Sequence, residues 1–302
     1  MGQWFSRLLA AMVAAFAPAA AGLPPAPAVT VRPVVSPPAA VAPAAAPPAM
    51  DALAVAVVDS ASGAVLYQRE SVVPHPLASI TKLMTALVVI DHEPDWDALV
   101  TLRTEDVRSG GRVVFSAGDQ VSVRDLFEVM LVASSNEAAV ALARSSGLTP
   151  QAFVAAMNKR AAALGLADAR FVDPAGLESG NVASAADAAK LVRAAFSDPM
   201  VAAAVRQSGY HLTVRNTGKR VTTASTNILL QQGRKNGNPF PIGGKTGYLD
   251  ESGYNVALIF EQSGHQVSVA VLGAPSADAR FQDAVQVASW TFTNFRWPAL
   301  GG

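Results

Sequence analysis

The sequence predicts a mixed α/β domain in which strands from both ends of the chain form one antiparallel sheet, flanked by helices, with a helical subdomain inserted between them. Three observations carry this reading: a β-hairpin pattern just after residue 50, helix-period segments with capping signals through the middle, and a second hairpin followed by an amphipathic helix near the end. The chain divides into residues 1–21, a secretory leader, residues 22–50, a Pro/Ala-rich linker, and residues 51–302, the folded domain.

In the leader, Arg7 precedes a 14-residue apolar run over 8–21 that closes on the small residues Ala19, Ala20 and Ala21. A membrane-spanning helix needs about 20 apolar residues, so the run matches a signal peptide cleaved before Gly22 and delivers a secreted, periplasmic or cell-envelope protein. A retained signal anchor is the alternative. Residues 23–49 hold 9 Pro and 9 Ala in 27 residues, a composition that favours extended chain and builds no core. It reads as a spacer, with order beginning near Asp51.

Residues 52–59 read as a buried strand, Ser60 to Gly63 as a turn, and residues 64–67 as the returning strand. After Pro74 and Pro76, the apolar spacing of Leu83, Ala86, Leu87 and Ile90 predicts a buried helix over 79–90. Ser122 with Asp125, and Ser184 with Asp187, form capping-box patterns ahead of two further helices. Thr149-Pro150 opens another that Gly165 stops. Beyond Gly243 the strand texture returns at 254–260 and 266–272, joined through Ser263-Gly264, and residues 280–295 close as an amphipathic helix.

Composition narrows the function. The 302 residues are 51% hydrophobic and 15% charged, with 23 basic and 23 acidic side chains, so no strong field draws nucleic acid. No cysteine is present, which excludes disulfide scaffolds and thiol catalysis. His75, His92, His211 and His265 show no zinc-site spacing, and no phosphate-binding glycine loop occurs, so no metal or other cofactor is expected.

Ser79-Ile80-Thr81-Lys82 is the first chemical signal. Positions i and i+3 share a helix face, so the lysine amine reaches the serine hydroxyl. Lysine becomes a base when burial or a neighbouring cation lowers its pKa. Any such two-residue pattern arises about once per 300 positions by chance, and a capping serine beside a solvated lysine would look the same. Two rarer strings follow it, Ser134-Ser135-Asn136 between helical segments and Lys245-Thr246-Gly247 at the return to strand.

The order S-x-x-K, S-x-N, K-T-G resembles the signature of the penicillin-binding proteins and class A β-lactamases. With the surrounding blocks 76–86, 130–139, 171–177 and 244–248, the chain resembles the D-alanyl-D-alanine carboxypeptidases, the low-molecular-mass serine penicillin-binding proteins. The resemblance implies a β-lactamase/transpeptidase-like fold and peptidoglycan stem peptides and β-lactam antibiotics as partners. It further implies Ser79 as nucleophile, Lys82 as its base and Ser134 as proton relay. Asn136, Lys245, Thr246 and Gly247 would bind substrate, Gly247 by letting its backbone lie against the strand, and the N–H groups of Ser79 and Tyr248 would form an oxyanion hole. The side chain of Tyr248 reads as wall. Asp173, Asp187 and Glu137 read as structural charges, and Ser225-Thr226-Asn227 as support for the site or a turn.

Only 55 residues follow Gly247, so no terminal membrane anchor is expected, and the short form resembles the D,D-endopeptidase branch, which cuts cross-bridges. A β-lactamase would need a Glu with an Asn four residues on, whereas Glu178 and Asn181 stand three apart. A silent wall-binding protein would have lost a motif residue, and none is lost. The leader reading is checked by N-terminal sequencing of the exported protein, which is expected to begin at Gly22. Full-length protein recovered only in membranes would replace it with the signal anchor.

Overall fold

The computed structural model describes residues 35–42, 44–108, 110–232 and 239–298. The signal-peptide reading and the first part of the linker fall outside the described residues.

In chain order the elements are β1 (Ala39–Ala40), β2 (Ala54–Asp59), β3 (Val65–Arg69), β4 (His75–Pro76), α1 (Lys82–Asp91), β5 (Leu99–Thr101) and β6 (Gln120–Ser122). Then come α2 (Val123–Val132), α3 (Asn136–Ser145), α4 (Pro150–Ala163), β7 (Val182–Ala183), α5 (Ala185–Phe196), α6 (Pro199–Val205), β8 (Gly209–Thr213) and β9 (Arg220–Ala224). The chain closes with β10 (Phe240–Leu249), β11 (Gly253–Gln262), β12 (His265–Ala274), α7 (Ala277–Asn294) and β13 (Phe295–Arg296).

The main sheet has the order β10-β11-β12-β2-β3, antiparallel throughout, so the strand from the N-terminal side pairs with one from the C-terminal side at Val57↔Val269. The expected topology is realised. Alternation sorts the side chains of β2 between two cores. Ala54, Ala56 and Val58 face the helical subdomain and α5, whereas Val55 and Val57 face α7. The β11–β12 turn places Ser263 at φ 53° and Gly264 at φ 82°, the two positive values that match a tight turn to the twist of a hairpin.

Local signals decide the helix starts. Ser122 and Asp125 form a complete capping box on α2, and Thr149 caps α4 through the N–H of Ala152. The second expected box is half made: Ser184 Oγ accepts from Asp187 N, but the Asp187 carboxylate accepts instead from Asp168 N at 2.7 Å, tying a loop to α5. The helix expected over 79–90 is also divided. Residues Ala78–Thr81 form a 3-10 turn that leads into α1.

Order begins earlier than Asp51. β1 pairs with β13, Val41 N donates to Asn294 O, Ala45 N donates to Asn294 Oδ1 at 2.7 Å, and Trp290 Nε1 donates to Ala45 O. Extended Pro/Ala chain makes no internal hydrogen bonds, so its N–H groups need outside partners, and the end of α7 supplies ones that composition does not reveal. No helix among the described residues is long and apolar enough to cross a membrane. Replacing Asn294 by Ala removes the central anchor of this strap. The variant is expected to lose about 1–2 kcal/mol in denaturant unfolding and to be cut faster by proteases within 41–50; unchanged proteolysis would show the strap held by other contacts.

Candidate active site

Four segments converge on one amine. The 3-10 turn carries Ser79, α1 begins with Lys82, α3 begins with Asn136, and a turn over 173–178 presents the carbonyl of Ala175. Lys82 is fully buried, and its Nζ lies 2.8 Å from Ser79 Oγ, 2.7 Å from Asn136 Oδ1 and 2.5 Å from Ala175 O. The 3-10 geometry eclipses positions i and i+3, so the S-x-x-K spacing brings the two groups into hydrogen-bond contact. Burial lowers the Lys82 pKa from its ordinary value to about 7, partly countered by the carboxylates of Asp173 and Glu137. A neutral amine has two N–H bonds and one lone pair. Two hydrogens directed at Asn136 Oδ1 and Ala175 O leave the lone pair to accept from the hydroxyl of Ser79.

A second cluster stands on β10. Lys245 Nζ lies 2.7 Å from Ser134 Oγ and 3.0 Å from Thr246 O, and Thr246 Oγ1 lies 2.7 Å from Thr226 Oγ1. Burial, with the positive charges of Lys82 and Arg280, holds the Lys245 pKa well below the usual ammonium range. Ser134 does not cap α3, which is capped by Ser135 through Ala138 N. Ser134 sits instead at φ 63°, a left-handed conformation uncommon for a non-glycine residue. The hydroxyl is thereby left to Lys245.

Gly247 joins the clusters, for a different reason from the one its motif suggests. A Cβ at this position would lie 2.5 Å from Leu77 O and 3.2 Å from Ser79 N. The missing side chain lets β10 press against the nucleophile turn, so the space it leaves is already filled by protein. Gly176, at φ 78°, is likewise seated against Ala78 O with no room for a Cβ. Asn136 also differs from expectation. Its Oδ1 is committed to Lys82 and its Nδ2 donates to Gly110 O at 2.6 Å.

Tyr248 is 48% exposed, tilted against Tyr254 with ring centroids 4.4 Å apart, and its hydroxyl donates to Asp250. Thr226 of the S-T-N string touches the site directly, and Glu137 is buried, accepting from Val114 N and Phe115 N.

Sequence reasoning missed Arg280, read only as the start of a helix. Its Nη1 donates to Gly247 O at 3.2 Å and to Asn255 O, the guanidinium lies 5.4 Å from the Tyr254 ring centroid, and burial lowers its pKa to about 10. Nothing in the local sequence marks it, because α7 reaches the back of β10 only in the folded sheet.

The sequence matches the family described as D-alanyl-D-alanine carboxypeptidase over residues 41–276. A D-alanyl-D-alanine endopeptidase of Pseudomonas aeruginosa is 34% identical over 249 residues, which span 78% of this chain and 76% of that one. The D-alanyl-D-alanine carboxypeptidase DacF of Bacillus subtilis is 26% identical over 82% of this chain and 64% of its own length. Among solved structures, the Streptomyces K15 DD-transpeptidase superposes with a TM-score of 0.76 at 26% identity, covering 82% of this chain and all of that one.

The packing at Gly247 is testable. Gly247→Ala forces β10 and the nucleophile turn apart, and a displacement of order 1 Å at reacting groups costs on the order of 100-fold in rate. Labelling of Ser79 by a fluorescent penicillin is expected to slow by that factor, with the melting temperature measured alongside. A wild-type labelling rate would show that the strand yields without disturbing Ser79.

Proposed function

The chain belongs to the D-alanyl-D-alanine carboxypeptidase family and is a serine D,D-peptidase, and from that premise we propose a role for each side chain of the site. The observation that carries the proposal is the contact of a buried, proton-poor Lys82 with the hydroxyl of Ser79.

Ser79 Oγ attacks the carbonyl between two D-alanines while the lone pair of Lys82 takes its proton. The tetrahedral oxyanion forms against the N–H groups of Ser79 and Tyr248, a pairing supported by the close approach of Gly247 to Ser79 N. Ser134, held by Lys245, gives its hydroxyl proton to the departing amine and is reprotonated with the proton that Lys82 took from Ser79. The substrate carboxylate lies toward Lys245 and Thr246, with Arg280 behind them adding positive potential. Asn136 orients Lys82 through its oxygen and, when Gly110 yields, offers its N–H₂ to the substrate peptide. Water then hydrolyses the acyl-enzyme. A β-lactam acylates Ser79 by the same steps, but its ring amide stays attached after opening, so release is slow. The reading of residues 1–21 as a secretory leader supports a cell-envelope location for this chemistry.

A second reading, cleavage of D-Ala-containing cross-bridges, is favoured by the relatives named endopeptidases in Pseudomonas aeruginosa, Haemophilus influenzae and Escherichia coli, of which this chain spans 76–77%. The two reactions share every step at Ser79 and differ in the leaving amine.

Digestion of pentapeptide muropeptides and of cross-linked dimers separates them: loss of one alanine marks the carboxypeptidase and conversion of dimer to monomer the endopeptidase. Failure to cut either, with rapid turnover of penicillin, would favour a β-lactamase. Because only neutral Lys82 accepts a proton, acylation by penicillin is expected to rise with pH through about 7 and to be abolished in Lys82→Arg, which stays charged. Normal acylation in that variant would assign the base elsewhere.

A further inference from the structure

The mechanism uses the nitrogen of Lys82 and leaves unexplained how Ala175 is made to face it. We infer that Asp173 is a positioning residue for Lys82: its carboxylate folds the turn over 173–178 around itself and so aims the Ala175 carbonyl at the amine. The inference rests on the reading of Lys82 as the base.

Asp173 Oδ1 accepts from Ala175 N at 2.7 Å and Gly176 N at 2.8 Å, with Leu177 N at 3.4 Å. Oδ2 accepts from Glu178 N at 2.8 Å and from the amide of Asn181. Four successive backbone N–H groups thus converge on one carboxylate, a concave nest of the kind that binds anions. Asn181, itself fully buried, accepts from Val172 N and holds the base of the turn. The backbone between these bonds has little freedom: Pro174 O accepts from Thr85 Oγ1 of α1, and Gly176 is seated against Ala78 O immediately before Ser79.

Packing alone does not hold the turn. Its outer side borders a cavity of about 460 Å³ lined by Val172, Pro174 and Leu177 together with Val140, Phe153 and Val154. A carbonyl carried on a turn with open space behind it keeps its direction because the carboxylate fixes the amides on either side. The same charge bears on Lys82, which also faces Glu137 of α3 and Lys245 of β10. Asp173 therefore acts on the base in two separable ways, by aiming an acceptor and by favouring the protonated amine.

The two effects predict different phenotypes. Asp173→Asn removes the charge and turns one oxygen into a donor facing N–H groups, whereas Asp173→Glu keeps the charge and displaces it by one methylene. The test measures the second-order rate of penicillin acylation of the exported protein between pH 5.5 and 9, with adduct mass and melting temperature for each variant. Asp173→Asn is expected to lower the plateau rate on the order of tenfold or more and to move the midpoint of the acid limb to lower pH. Asp173→Glu is expected to lower the plateau while its midpoint stays with the wild type. A plateau loss in Asp173→Asn with no shift in midpoint would reduce the residue to a structural support, and a wild-type plateau in either variant would overturn the inference. Should Asp173→Asn fail to fold, the plateau of Asp173→Glu decides. A wild-type protein with no adduct on Ser79, or no acid limb, would instead fail the reading of Lys82 as base.

Discussion

The site depends on a single constraint: an amine held out of water must either keep a counter-charge or give up its proton. Lys82 has three oxygens within hydrogen-bond distance and none of them is a carboxylate. Burying an ammonium among neutral acceptors is costly, so the protonation equilibrium moves toward neutral pH instead. The carboxylates of Asp173 and Glu137 offset part of that cost from the turn and from α3. Their more distant placement leaves Lys82 poised near pH 7, where a base is available without being permanently deprotonated.

Two of the five non-glycine residues with positive φ among the described residues flank the two clusters of the site. Ala78 takes φ 50° just before the nucleophile and Ser134 φ 63° just before α3, values non-glycine residues adopt only when the surroundings over-determine them. Gly176 and Gly247 both press on the turn that carries Ser79, each too close to leave room for a side chain. The result is a hydroxyl held in place, as the proposed attack by Ser79 requires.

The main sheet makes the second cluster possible. β10 is an edge strand, and its register with β11, Lys245↔Ala257 and Gly247↔Asn255, sets which residues face the helical subdomain and which face α7. Lys245 is thereby placed against Ser134, and Arg280 from α7 reaches the carbonyl of Gly247. Burial, with the charges of Lys82 and Arg280, lowers the Lys245 pKa. The proposed binding of a carboxylate here would bring a counter-charge to Lys245.

The sequence alone determined the sheet from both ends of the chain, because hairpin and helix patterns depend on neighbours a few residues apart, and β2, β11, β12, α2 and α4 all carried such signals. It also carried the short ordered strings from which the site roles are proposed, with Ser79, Lys82, Ser134, Asn136 and Lys245. What only the tertiary structure decided depends on contacts far apart in sequence. The Asn136 oxygen is committed to Lys82 across 54 positions. Gly247 is small because Leu77 O lies against it, and Arg280 joins the site across the sheet. β1 pairs with β13, and Val41 N and Ala45 N donate to Asn294 at the end of α7. Composition reports how a segment behaves by itself, and the proline-rich segment by itself is a spacer; its order comes from hydrogen-bond partners nearly 250 residues away.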